Sequence, residues 1–170
     1  LILGIFRRVP WTAGGVLQTN PKEPIMIVRD VLLVKSGETF SIPPESQITD
    51  SIRLMVEHDI GSLVVMDSAG KMIGIITERD IMRAAHKYSC DLGKLTVRDL
   101  MTSRLIVCGP DDTVDYVRGI MTKNHIRHLP VVDEENLLGV ITFHDVARAC
   151  LNEANFENEL LKRYIKHWPE

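Results

Sequence analysis

Two aspartates, Asp80 and Asp145, each stand three residues after a threonine, Thr77 and Thr142, and each threonine stands three residues after a glycine, Gly74 and Gly139. A Thr-x-x-Asp can do two things. It can close a capping box at the start of a helix, with no ligand involved. Alternatively, the carboxylate can accept hydrogen bonds from vicinal hydroxyls such as those of a ribose, at about 1.5–3 kcal/mol per charge-assisted bond. The unpaired N–H groups and the dipole of the same helix end favour an anion. A single copy leaves both readings open. Two complete copies, each with its glycine and each following an apolar run, shift the balance towards a ligand.

The other reactive side chains form no set. His125 and His128 are three apart but straddle a change from helix to strand, and no Cys or carboxylate completes a metal-binding group of three or four. Cys90, Cys108 and Cys150 are odd in number and far apart, as expected of small buried hydrophobes in a reducing compartment. No Ser, His and Asp spacing indicates a nucleophile. The sequence is therefore read as that of a non-enzyme.

The elements that must position the two aspartates are duplicated. Gly74 to Ala85 matches Gly139 to Cys150 with a constant offset of 65 residues, and Asp50 and Asp115 keep that offset inside two helical patterns. Val28-Arg-Asp30 and Val97-Arg-Asp99 open the two units. In each, a short strand (39–42; 105–108) leads into helix-start residues. An amphipathic helix follows, with Ile48, Ile52, Met55 and Val56 in one copy and Val114, Val117, Ile120 and Met121 in the other. Two apolar strands come next, the second ending at Thr77 or Thr142, and then a helix over 78–88 or 143–151. Pro130 places its strand at an edge or where pairing stops.

The predicted fold class is α/β, two β-α-β-β-α repeats packed by pseudo-twofold symmetry, plus a C-terminal helix. The expected boundaries are an extended N-terminal segment over 1–26, repeats over 27–90 and 91–152, and a C-terminal helix over 153–170. That last segment carries Phe156, Leu160, Leu161, Tyr164, Ile165 and Trp168 at helical spacing. Packing on the protein's own lobes is the expected fate of such a stripe, and docking on a partner is the alternative.

Composition excludes several classes. With 20 Lys+Arg against 23 Asp+Glu in 170 residues, the chain has no electrostatic footprint for nucleic acid. Four Phe, three Tyr and two Trp offer no stacking platform for bases. No apolar run is long enough for a membrane span. The first 24 residues have no acid before Glu23 and several apolar residues broken by Pro and Gly, so they must lie on the domain or on another chain. An acid-free start with Arg7 and Arg8 fits the region near the cleavage point of an organellar presequence, and equally a fragment of a longer bacterial chain. A mitochondrial matrix or other organellar location is expected, with the cytoplasm otherwise.

The duplicated Gly-x-Ile-Thr-x-x-Asp, together with Ile126-Arg-His-Leu-Pro-Val131, resembles the CBS domain family over residues 27 to 152. Stand-alone two-repeat members of bacteria and organelles are the most similar, sharing a C-terminal helix with Tyr164-Ile165 near its end. The resemblance implies a tandem pair that regulates enzymes or transporters by binding adenosyl ligands in the cleft between the repeats. It implies that Asp80 and Asp145 hold ribose hydroxyls and that Thr77 and Thr142 touch ribose or phosphate. Arg127 and His128 would face phosphates, and Ile106 would flank an adenine in the second cleft. Arg79 would reach a phosphate or remain solvated. Gly61 and Ser62 stand where the second repeat has Arg127 and His128, so the clefts are unequal. The ligands implied are AMP or ATP first, then ADP, NAD(H) or S-adenosylmethionine.

Two functions follow as expectations. One is an adenine-nucleotide-sensing module that modulates a partner enzyme or complex. The other is a structural or accessory subunit of a larger assembly with idle or permanently filled clefts. In both, protein partners use the N-terminal segment and the C-terminal helix, and the chain forms a homodimer or joins a hetero-assembly.

Overall fold

The computed structural model describes residues 6–7, 25–35 and 38–166. Apart from Phe6–Arg7, Ile25 and Met26, the expected N-terminal segment lies outside the described residues, as does Trp168. The order of elements is β1 (Phe6–Arg7), α1 (Val28–Val34), β2 (Ser41–Ile42), α2 (Ile48–Glu57), β3 (Ser62–Met66), β4 (Met72–Thr77), α3 (Glu78–Lys87), α4 (Val97–Leu100), β5 (Leu105–Ile106), α5 (Val114–Asn124), β6 (His128–Asp133), β7 (Asn136–Thr142) and α6 (Phe143–Lys166). The β-α-β-β-α order is therefore present twice, each copy preceded by a short helix. Among the described residues no helix is long and apolar enough to cross a membrane.

Backbone contacts divide the described chain into two compact units that do not follow the linear repeats. One holds 38–107 with β1 and 134–137; the other holds 25–35, 108–133 and 138–166. The helix opening the first repeat thus belongs with the second repeat's elements, and the helix opening the second belongs with the first's. Neither α1, with seven residues, nor α4, with four, is long enough to be stable alone.

In the first unit, β2-β3-β4 form a sheet in which β3 pairs parallel to β2 and antiparallel to β4, with Ser62 opposite Thr77. Ile42, Ile48, Met55, Leu63, Val65, Ile76 and Ile81 make a common core with Val97, the first residue of α4. The α4 backbone is held by Val97 N–H to Ser46 O (2.9 Å) and Arg98 N–H to Pro44 O (2.9 Å), and Ile48 N–H returns to Leu95 O (3.1 Å). The Arg98 guanidinium also bonds Glu45.

The second unit repeats this docking with different residues. Val28 N–H bonds Asp112 O (2.9 Å), Arg29 N–H bonds Pro110 O (2.8 Å), Val114 N–H returns to Met26 O (3.0 Å), and Arg29 pairs with Asp111 (3.0 Å). β6 pairs with β7, and Cys108 bridges Val131 in parallel from the other side of β6. The strand expected over 105–108 accordingly has two partners, because Leu105 and Ile106 pair instead with Phe6 and Arg7.

The expected C-terminal helix is present and is continuous with the last helix of the second repeat. With no Gly or Pro between Phe143 and Lys166, α6 runs on as one 24-residue helix of roughly 36 Å. The expectation that the tail packs on its own lobes does not hold for Phe156 and Leu161, the members of its stripe whose side chains are described, which are 63% and 60% exposed; Leu151, just before the tail, is 65% exposed. The cysteines are also corrected in part, since Cys108 is buried but Cys90 is exposed and Cys150 only half-buried.

The glycine of the first motif has a packing cause. After α4 the chain passes over β4, where Thr102 and Ile75 exchange hydrogen bonds of 2.9 and 3.1 Å. A Cβ on Gly74 would lie 2.7 Å from Met101 Sδ and 3.2 Å from Thr102 O. The thioether can move; the bridged carbonyl cannot. Gly74→Ala is expected to destabilise the protein by about 1–3 kcal/mol, measured by urea unfolding, and an unchanged midpoint would mean that the arm gives way freely.

Candidate functional site

Each Thr-x-x-Asp lies where a strand ends and a helix begins, and each forms its capping box. At the first, Asp80 Oδ2 accepts from Thr77 N–H (3.0 Å) and Thr77 Oγ1 (2.6 Å), while Asp80 N–H donates back to Thr77 Oγ1 (3.4 Å). At the second, Asp145 Oδ2 accepts from Thr142 N–H (2.8 Å) and Thr142 Oγ1 (2.8 Å), and Asp145 N–H donates to Thr142 Oγ1 (3.1 Å). All the bonds given for either carboxylate fall on Oδ2. Among the described residues, Oδ1 of each is uncommitted. Since a carboxylate oxygen has two acceptor sites, capping and holding a hydroxyl do not compete.

Capping by itself does not mark a site. Asp99 Oδ2 accepts from Thr96 N–H and Oγ1, both at 2.8 Å, and Asp30 caps Ile27 N–H at 3.1 Å, although isoleucine offers no reciprocal oxygen. Asp30 and Asp99 are exposed, whereas Asp80 and Asp145 are half-buried. Burial separates the two pairs, and a cation then separates Asp80 from Asp145.

Lys35, which follows α1, sends its ammonium to Asp145 Oδ2 (3.1 Å) and to the Val140 carbonyl. The side chains of this ion pair are 26% and 14% exposed, whereas every other ion pair among the described residues has a partner more than half exposed. Burial pushes the Asp145 carboxyl up, but the Thr142 N–H and hydroxyl and the Lys35 ammonium outweigh it and hold the group below the ordinary carboxylate value. Lys35 and Asp145 line a cavity of about 110 Å³ with Val31, Val34, Arg148 and Ala149, between α1 and α6. That is room for a sugar-sized group and well short of the roughly 300–1,000 Å³ of a complete small-molecule pocket.

The remaining sequence-predicted residues divide by unit. Phe143 N–H bonds the Arg127 carbonyl (2.8 Å), which sets the end of β7 beside the start of β6 and brings Arg127, His128, Thr142 and Asp145 to one edge. The Arg127 side chain is exposed and His128 is half-buried. In the first unit Glu78 N–H bonds the Gly61 carbonyl (3.1 Å) in the same way, placing Thr77, Arg79 and Asp80 beside Gly61 and Ser62. Ile106 is half-buried in β5 and belongs to the first unit, so the structure does not group it with the second repeat's residues. No three His, Cys, Asp or Glu among the described residues lie close enough to hold a metal ion. Lys35 is the residue that sequence reasoning missed. Its one signal is its place just after a helix whose first turn is the repeated Val-Arg-Asp.

A family model described as CBS domain matches residues 28–87 and 97–152. The crystal structure of a CBS-domain containing protein from Agrobacterium tumefaciens superposes with a TM-score of 0.72 at 30% identity, over 77% of this chain and 98% of that one. A CBS domain pair crystallised in complex with 5′-methylthioadenosine and S-adenosyl-L-methionine superposes with a TM-score of 0.68, also at 30% identity, over 76% of this chain and 99% of that one. A mitochondrial CBS domain-containing protein of Arabidopsis thaliana is 32% identical over 126 residues, 72% of this chain and 61% of its own length. Enzymes among the curated relatives are matched over only 22–27% of their length, and such partial matches do not make this chain an enzyme.

Because Asp145 has a lowered folded-state pKa, its contribution to stability is complete above the unfolded value and is lost as pH falls through the folded one. The stability difference between wild type and Asp145→Asn is therefore expected to be constant near neutrality and to shrink from about pH 4 downwards. Thermal melts at stepped pH measure it, and a difference that stays constant into strong acid would remove the ionised carboxylate from the argument.

Proposed function

The chain belongs to the CBS domain family, and from that premise we propose that it is a regulatory module that binds an adenosine-type ligand at its Thr-x-x-Asp junctions and modulates a partner enzyme or complex. The observation that carries this reading is the uncommitted Oδ1 on Asp80 and on Asp145, each at a half-buried strand–helix junction. Each can accept from a ribose hydroxyl without disturbing its cap. The similar domain pair crystallised with 5′-methylthioadenosine and S-adenosyl-L-methionine supports the adenosine part. Arg127 and His128, at the same edge as Asp145, support a phosphorylated ligand such as AMP or ATP in the second repeat. The named location of the Arabidopsis relative supports a mitochondrial one for this chain.

Calorimetric titration with AMP, ATP, NADH and S-adenosylmethionine tests the reading. At least one is expected to bind with a dissociation constant on the order of 10–100 μM, about 6–7 kcal/mol. Asp80→Asn and Asp145→Asn keep a capping oxygen but lose the charge, and each is expected to weaken its own site by about tenfold. Equal heats before and after both substitutions would reject the assigned site.

A second reading, a subunit held in a larger assembly, is favoured by one observation: the exposed Leu151, Phe156 and Leu161 on α6. Exposed apolar side chains on a long helix are suited to covering by another protein. Replacing the three by Gln is expected to lower the mass measured by light scattering on a sizing column. An unchanged mass would leave those side chains without a role in assembly.

A further inference from the structure

The two carboxylates have different electrical surroundings. Asp145 is bonded by the Lys35 ammonium; Asp80 is bonded by no Lys or Arg among the described residues. The difference arises from the two arms. Ile75 and Val140 occupy matching positions, 65 residues apart, and in the first repeat the Ile75 carbonyl accepts from the Thr102 backbone N–H. In the second, the Val140 carbonyl accepts from the Lys35 side chain, and the same ammonium continues to Asp145.

We propose that Lys35 is a specificity-determining residue that makes the Asp145 site favour adenosyl ligands bearing an anionic group over uncharged ones. This rests on the adenosine-binding reading above and adds ligand charge to it. The ammonium is fixed at two points, so it loses little freedom when a ligand arrives. It lines the cavity beside Asp145, and of its three N–H groups two are used. A sugar gripped by Asp145 Oδ1 therefore meets a carboxylate already compensated by Lys35. A phosphate one sugar ring away lies within the roughly 8–10 Å over which charges act in physiological salt, attracted by the ammonium and little repelled by Asp145. At Asp80 the same phosphate meets a carboxylate without that compensation.

The test titrates AMP and adenosine into the full chain carrying Asp80→Asn, which leaves the second site to be read. AMP is expected to bind about tenfold tighter than adenosine, and added Lys35→Met is expected to reduce that ratio by about threefold, Arg127 and His128 supplying the rest. Lys35→Arg keeps the charge and should keep the ratio. If Lys35→Met does not fold, Lys35→Gln, which keeps a hydrogen-bond donor and loses the charge, takes its place, and the ratio in the Asp80→Asn protein must also fall as sodium chloride rises, because the preference is Coulombic. A ratio untouched by Lys35→Met, or independent of salt, overturns the proposal while the adenosine-binding reading stands. Failure of the unsubstituted chain to bind either ligand overturns both.

Discussion

The exchange of leading helices is the constraint from which the rest follows. A repeat of about 60 residues buries only about 60% of the surface its unfolded chain exposes, too little for comfortable stability alone. Each repeat also leaves a loop before its central helix with backbone groups to satisfy. Both needs are met by a helix from the start of the other repeat. Val28 and Arg29 bond the carbonyls of Asp112 and Pro110, and Val97 and Arg98 bond those of Ser46 and Pro44. Even the flanking ion pairs correspond, Arg29 to Asp111 and Arg98 to Glu45. Everything that follows each arm is placed by this docking. Met101 and Thr102 are laid against Gly74, and Lys35 is delivered to Asp145.

Much of this was legible in the sequence because it is periodic or local. The constant 65-residue offset revealed the duplication, and apolar spacing gave the central helices and the strands of each repeat to within a residue or two, though not the short helices α1 and α4 or the unbroken run of α6. The capping boxes could be read directly, since they join residues three apart. What could not be read was which partner an element finds. Val28-Arg-Asp30 looks like the beginning of the first repeat, yet its hydrogen bonds go to residues 110 and 112. Nothing in a linear pattern reports a contact across more than 80 residues. Lys35 was hidden for the same reason: a single lysine after a short helix reads as a solvated charge until the fold shows Asp145 beside it. Nor could spacing settle the tail, because an apolar stripe has the same pattern whether its cover belongs to this chain or to another.

The four aspartates at third helical positions separate structure from function more sharply than any motif. Asp30, Asp80, Asp99 and Asp145 all cap. If capping were the whole purpose of Thr-x-x-Asp, Thr96-x-x-Asp99 would be its equal, and in local geometry it is. The sequence distinguishes them only by the preceding strand: β4 and β7 carry their threonines to half-buried strand ends, whereas Thr96 follows a loop. The cap is best regarded as the scaffold for the second oxygen. In the Asp80 and Asp145 boxes it fixes the carboxylate's rotamer with two hydrogen bonds to Oδ2, so Oδ1 is held in place before any ligand arrives, which lowers the entropy lost on binding.

A ligand can regulate only through unequal affinity for two arrangements of the protein, so the relevant question is which packing the site could bias. In the second unit the answer is narrow. Asp145 is in the first turn of α6, and Lys35 follows α1, the helix whose residues share the cavity with those of α6. A ligand bound there would touch both helices at once, and unequal affinity for two spacings between them is what regulation through this site would require. From that contact α6 continues without a break to Phe156 and Leu161, whose exposed side chains lie on the same rigid element. The economy of the arrangement lies in that continuity: the residue that would read the ligand and the surface available to a partner belong to one helix, and the arm that sets the site's charge is the element packed against it.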